Sequence, residues 1–224
     1  MPTPTVEAYL EIIYMMQVEE QPVIGARLAE SLHVSRPTVT TTLKRMLREG
    51  LVKLNPRKEI QMTDKGRAIA EHLQHRHRIV ERWLTDELGL DWARSDAEAH
   101  HLEHAMSDEV AELLNKHLGY PATCPHGNPI PGNPSGAADG NQKSIQLSTV
   151  RPGDRVQVMR VSEYAENIAE LLEYLGQRAV TPGAQITVAD VAPLQGPLTL
   201  QVGARTISMS REVANFVWVK RSEP

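Results

Sequence analysis

SRPTVTTTLKRMLREGLVKLNPRKEIQMT, residues 35–63, holds a helix signal and a hairpin signal in immediate succession. Ser35 is an N-cap residue, whose side chain can accept from the free N–H groups of a first turn, and Pro37 suits an early helical position. Val39, Leu43, Met46 and Leu47 recur at helical spacing and give that helix a core face, and Gly50 follows as the glycine that ends it. LVKLNPRKEIQMT then alternates in two short runs about Asn55-Pro56-Arg57-Lys58, which predicts a β-hairpin with a basic turn.

Upstream, Ile24, Leu28 and Leu32 mark a short helix. Val6, Tyr9, Leu10, Ile13 and Met16 mark a longer amphipathic one, with Glu11 off its apolar stripe. Helix, turn, helix and hairpin in that order predict a winged helix-turn-helix over residues 1–72. Between Gln21 and Lys58 eight cationic side chains stand against only Glu30 and Glu49, although the 224-residue chain has a formal charge of −4. A basic segment inside an acidic chain points to nucleic acid. The recognition helix would present Ser35, Arg36, Pro37, Thr38, Thr40 and Thr41 to base edges, flanked by Arg27, Arg45, Arg48 and Lys58 against phosphates. A small helical domain with a solvated basic face fits the same periodicity without DNA.

Downstream, Thr63 can cap a long helix whose stripe runs Ile69, Leu73, His77, Val80, Leu84 and Leu88 to Gly89, with a histidine on an apolar face. A further helix is expected from Ser95-Asp96-Ala97-Glu98, a capping-box spacing, through Leu102, Met106, Val110 and Leu113 to Gly119. Two helices this apolar predict a homodimer, and residues 73–121 form a helical dimerisation and metal-binding region in this reading. Residues 122–147, dense in Pro, Gly and Asn, predict a linker or ordered irregular segment. Residues 148–224 alternate in short strands, RVQVMRV, QITV, LTLQV, TISM and FVWV, with one helix around Glu166–Leu175, which predicts a small β-barrel. The fold class is therefore mainly α with a small β domain.

His77 and Glu81 share one helix face, and Asp96, His100, Glu103 and His104 share a face of the next. Packed together, the two helices would converge up to six O and N donors, suited to Mn²⁺ or Fe²⁺ and open to Zn²⁺. Glu11 could reach the same place. The same histidines also fit exposed helix faces that bind nothing. A metal-dependent hydrolase is the competing class, since these ligands can activate water. No HExxH occurs, however, and no catalytic signature is present. The single cysteine, Cys124, excludes a Cys-rich zinc site and reads as a structural thiol. With no apolar run long enough for a membrane span and no secretory leader pattern, a cytoplasmic protein without membrane contacts is expected.

RPTVTTTLKRMLREGLV (36–52), QMTDKG (61–66), RHRIVERWLTDELGL (76–90), EAHHLEHAMSDEV (98–110) and CPHGNPIPG (124–132) together resemble the iron- and manganese-dependent repressors of the diphtheria toxin repressor and manganese transport regulator type. The resemblance spans nearly the whole chain. It implies an SH3-like C-terminal domain and a homodimer that binds a palindromic operator on double-stranded DNA with metal as corepressor. It puts the family's metal positions on Ala8, Glu11, His77, Glu81, Asp96, His100, Glu103 and His104, with a further ligand near Glu166, Asn167 or Glu170. Iron-type members have sulfur ligands where this chain has Ala8 and His100, and a histidine where it has Asp96. Manganese-type members have carboxylates at the first two. Loss of both sulfurs hardens the site and leans the expectation to Mn(II) over Fe(II), with metal-transport genes as targets and Zn(II) an ion that can bind in vitro.

Overall fold

A computed structural model describes residues 3–134, 144–166 and 168–222. The chain forms two compact units, Met1–Arg76 and His77–Pro224.

The first unit opens with α1 (Pro4–Val18), which buries Val6, Tyr9, Leu10, Ile13 and Met16 as its periodicity requires, and buries Glu11 as well. α2 (Gly25–Ser31) and α3 (Arg36–Arg48) follow as the helix-turn-helix pair. The Ser35 side chain accepts from the Thr38 backbone N–H at 3.3 Å, which is the N-cap expected of it. Gly50, at φ +68°, lets the chain leave α3 in the left-handed region that side-chain-bearing residues avoid. β1 (Val52–Leu54) and β2 (Ile60–Met62) pair antiparallel, and the Asn55 side chain closes their turn by accepting from the N–H groups of Arg57 and Glu59. Thr63 caps the next helix through the Gly66 N–H. Gly66 itself packs so closely on the backbone of Leu51 that a Cβ there would lie 2.1 Å from the Leu51 carbonyl oxygen.

That next helix, α4 (Asp64–Arg82), begins in the first unit and ends in the second, running on through a π-helical turn, Trp83–Glu87. The single long helix expected from Ser95 to Gly119 is instead two. α5 (Trp92–Glu103) is capped by Asp91, four residues ahead of the expected Ser95, and α6 (Asp108–His117) is capped by Ser107, which accepts from the Val110 N–H. A competing N-cap at Ser107, followed by two acidic residues in its first turn, makes a fresh start more favourable than continuation.

Residues 121–134 form an irregular but tightly bonded segment, with an isolated bridge between Thr123 and Pro129. Asn133 donates to the Asn115 side chain and to the Pro121 carbonyl. The rest is a six-stranded antiparallel sheet in the order β3-β8-β4-β5-β6-β7. Its strands are β3 (Ile145–Gln146), β4 (Arg155–Val161), β5 (Gln185–Val191), β6 (Leu198–Val202), β7 (Arg205–Met209) and β8 (Val217–Arg221). The one helix expected near Glu166–Leu175 is two, α7 (Glu163–Glu166) and α8 (Ala169–Gln177), and a short α9 (Arg211–Ala214) precedes β8. Val156, Val158, Ile186, Val188, Leu198 and Leu200 alternate inward and pack on Leu172 and Leu175 of α8. Ala93 of α5 is buried in that same core, so the start of α5 is built into the β-rich part of the second unit.

Candidate metal centre and nucleic-acid interface

α4 and α5 bring together the residues that spacing alone put on separate faces. His77 is the hub. Its Nδ1 lies 2.7 Å from Glu103 Oε2, and its Nε2 lies 3.3 Å from Asp96 Oδ1 and 3.8 Å from Glu81 Oε1. The other oxygen of Glu103 is approached by His100 Nδ1 at 3.1 Å and His104 Nε2 at 3.3 Å. Glu81 and Glu103 are fully buried and His77 nearly so, whereas His100 and His104 are exposed.

Charge in this pocket is mutually sustained. Burial opposes a proton on His77, but Glu81, Asp96 and Glu103 outweigh it and hold its pKa well above 6.5. Burial likewise opposes the Glu103 carboxylate, yet hydrogen bonds from His100 and His77 bring its pKa down to about 2. For Glu81, burial is overcome by His126 and His77, and the net shift is downward.

Both oxygens of Glu81 and one of Glu103 lack a hydrogen bond of normal geometry among the described residues, although imidazoles stand at ion-pair distance. Buried carboxylate oxygens left in this state are costly unless something else satisfies them. Donor atoms near 3 Å apart match the edge of a coordination shell with bonds of about 2.1 Å. The donor set fits a divalent cation. Among the described residues three groups qualify, each with donor atoms within 4.8 Å of one another: His77 with His100 and Glu103, His77 with Glu81 and Asp96, and Glu81 with Cys124 and His126.

The third group is absent from the sequence reading, which took Cys124 as a structural thiol and did not single out His126. Both are fully enclosed. His126 Nδ1 lies 2.9 Å from Glu81 Oε1, and the Cys124 thiol lies 3.9 Å from the same nitrogen. His126 Nε2 meets the Trp92 carbonyl at 3.0 Å, the kind of backbone contact that orients a ligating imidazole. Gly127 makes this possible: at φ +87° it lies so near β4 that a Cβ would be 2.2 Å from the Met159 carbonyl oxygen. Cys-Pro-His is visible as a Cys-x-His pair, but no periodicity links residues 124–126 to α4.

Glu11 and Ala8 sit on α1 in the first unit, so the second unit alone assembles these three groups. Glu170 is exposed in the first turn of α8 and joins none of them. Glu166 closes α7, and Asn167 lies outside the described residues. Beside the cluster, Arg78 is buried between the Glu163 carboxylate and the Pro129 carbonyl, tying α4 to α7 and to the irregular segment.

On the first unit, Ser35, Arg36, Pro37, Thr38, Thr40 and Thr41 are all exposed on the leading half of α3, as a groove-facing helix requires. Arg48 and Lys58 are exposed too. Arg45 is held by Glu49 at 2.7 Å, and Arg27 donates to the Gln21 side chain. Among the described residues no helix is long and apolar enough to cross a membrane.

Three family models cover nearly the whole chain. The N-terminal DNA-binding domain of iron-dependent repressors matches residues 1–60, their metal-binding and dimerisation domain residues 63–132, and the FeoA domain residues 145–221. The chain is 35% identical to the iron-dependent repressor IdeR of Mycobacterium leprae, with 97% of each chain aligned. It is 33% identical to the diphtheria toxin repressor of Corynebacterium diphtheriae over 96% of each. Among solved structures, a manganese-dependent transcriptional repressor in complex with manganese superposes with a TM-score of 0.83 at 28% identity, covering 97% of this chain and all of the other. With its DNA-binding, metal-binding and FeoA portions matched in order, this chain belongs to the iron-dependent repressor family of metal-dependent transcriptional repressors and is not an enzyme.

Proposed function

We propose that this protein represses metal-transport genes with Mn(II) as corepressor, through ligands drawn from His77, Glu81, Asp96, His100, Glu103 and His104, with Glu11 and Glu170 as further candidates to be tested singly. The observation that carries this reading is the buried His77–Glu81–Asp96–Glu103 cluster, in which both oxygens of Glu81 and one of Glu103 make no hydrogen bond of normal geometry among the described residues. A bound divalent ion would supply positive charge at that point and release the protons that its ligands hold. Oxygen and imidazole donors suit Mn(II) best among the ions with which this family works. Glu170, exposed on α8, is the weakest member of the assignment, and loss of metal affinity in Glu170→Gln is its test.

Leu102, Val110, Leu113 and Tyr120 remain exposed on and beside α5 and α6, and a second copy of the chain would cover them. In such a dimer the ion stabilises the DNA-competent arrangement of the two winged domains only through its differential affinity for that arrangement. A palindromic operator follows from the two-fold symmetry, with half-sites about 34 Å apart.

A second reading, iron rather than manganese, is favoured by one observation. Cys124 shares Glu81 with His126, and a thiol donor draws a softer ion such as Fe(II) or Zn(II). Both readings are tested by mobility shift of a fragment from the organism's own metal-transporter promoters, titrated separately with Mn²⁺, Fe²⁺ and Zn²⁺ in anaerobic, chelator-buffered solution. A response confined to Mn²⁺ supports the first reading and one confined to Fe²⁺ the second. Binding unchanged by chelator, or by His77→Ala combined with His104→Ala, sinks both.

A further inference from the structure

Thr40 and Thr41, on the leading half of α3, have already spent their hydroxyl protons. Ser35 Oγ and Thr38 Oγ1 bond one another at 2.8 Å, and Ser35 accepts from the Thr38 N–H as the helix cap. Thr40 Oγ1 donates to the Arg36 carbonyl at 3.0 Å, and Thr41 Oγ1 donates to the Pro37 carbonyl at 3.1 Å. A threonine bonded back to the carbonyl four residues earlier has used its only proton, so it cannot donate to a base edge without breaking that bond. What remains for a base edge is its methyl group and the acceptor lone pairs of its oxygen. Arg36 is different: it is exposed, and among the described residues its guanidinium makes no hydrogen bond or ion pair. Arg36 and Thr40, and likewise Pro37 and Thr41, stand one turn apart, so the four side chains make two adjacent rows on one exposed helix face.

Resting on the reading of α3 as the DNA-contacting helix, we propose that Arg36, Thr40 and Thr41 determine operator specificity by two distinct chemistries. Arg36 reads a guanine through the O6 and N7 acceptors of the major groove, the contact its forked donors match. Thr40 and Thr41 read thymines through their C5-methyl groups, methyl against methyl, with no hydrogen bond. Each operator half-site therefore carries a guanine followed by thymines on the face that α3 meets, and guanine is not selected opposite Thr40 or Thr41.

The test uses the full-length Mn²⁺-loaded protein and a randomised duplex library, from which the preferred sequence is selected. The selected duplex is then remade with deoxyuridine at the thymines, which deletes only the C5-methyl. One methyl is worth about fourfold in affinity, so one change in each half-site of a symmetric dimer lowers affinity about fifteenfold. The variant pair T40V/T41V keeps both methyls and loses both hydroxyls, and it binds within about twofold of the parent. T40S/T41S keeps the hydroxyls, loses the methyls, and binds the thymine duplex as poorly as the parent binds the deoxyuridine duplex. R36A loses discrimination at one G·C pair per half-site by roughly fivefold or more. Loss of binding in the valine pair with retention in the serine pair would show the threonines accepting hydrogen bonds and overturn the proposal, as would indifference to deoxyuridine. If no sequence is enriched from the library by the Mn²⁺-loaded protein, the DNA-binding assignment of α3 fails first, and that outcome is distinct from enrichment of a site that ignores thymine methyls.

Discussion

Replacing Glu103 by Gln keeps the shape of the side chain and removes the charge on which three imidazoles converge. The carboxylate titrates at about 2 against an ordinary 4.5, which at 1.36 kcal/mol per pH unit corresponds to about 3 kcal/mol in favour of its charged form. Breaking a buried pair by removing one partner costs about 3–5 kcal/mol in general, so the two routes agree. In the metal-free protein Glu103→Gln should therefore lower the stability of the second unit by about 3 kcal/mol, or roughly 6–12 °C in Tm. The sign with pH is specific. The lowered pKa of Glu103 makes its contribution fully present above 4.5 and lost as pH falls towards 2. The raised pKa of His77 makes its contribution fully present below 6.5 and lost as pH rises through its higher folded value. The gap between wild type and Glu103→Gln is thus widest from about pH 4.5 to 6.5 and narrows on both sides. Urea unfolding in chelator, followed by the fluorescence of Trp83, Trp92 and Trp218, which all lie in the second unit, measures it across that range. A variant as stable as wild type at pH 5.5, or more so, would refute the charge-sustained pocket and leave Glu103 as a strained group that only metal relieves.

Removing the hub imidazole with His77→Ala should raise the Mn²⁺ dissociation constant by at least tenfold in calorimetric titration, and an unchanged constant would remove His77 from the ligand set. Arg78→Met should cost about 3–5 kcal/mol by removing the guanidinium that faces the buried Glu163 carboxylate, while Arg78→Met with Glu163→Leu should recover much of the loss. A double variant as unstable as the sum of the single ones in thermal unfolding would show that the pair is not coupled. Gly127→Ala, which drives a methyl group into the backbone of β4 from a positive-φ position, should displace the Cys124–His126 turn. Faster reaction of Cys124 with a thiol reagent reports it, and a thiol as protected as in wild type would contradict the packing described.

Much of this protein is local chemistry and could be read without its structure. Ser35, Pro37 and Gly50 bound a helix because capping, fixed φ and left-handed freedom act within one turn, and Asn55–Lys58 closes the wing for similar reasons. The exposed side chains on the leading half of α3, and the shared faces of His77 with Glu81 and of Asp96 with His100, Glu103 and His104, followed from helical spacing alone, because 3.6 residues per turn decides which residues share a face. The break at Ser107 was misread for an equally local cause: the apolar repeat continues across it, and a cap competes with periodicity at a margin of about 1 kcal/mol. What tertiary structure alone decided is which faces meet. Glu103 facing His77 across 26 residues, Arg78 reaching Glu163 across 85, and His126 brought against Glu81 by a glycine pressed on β4 all depend on packing between distant segments. No period or spacing encodes such contacts, since their partners are chosen by the burial of a shared core, and a Cys-x-His pair in a turn becomes part of a candidate donor set only when that core sets a carboxylate beside it.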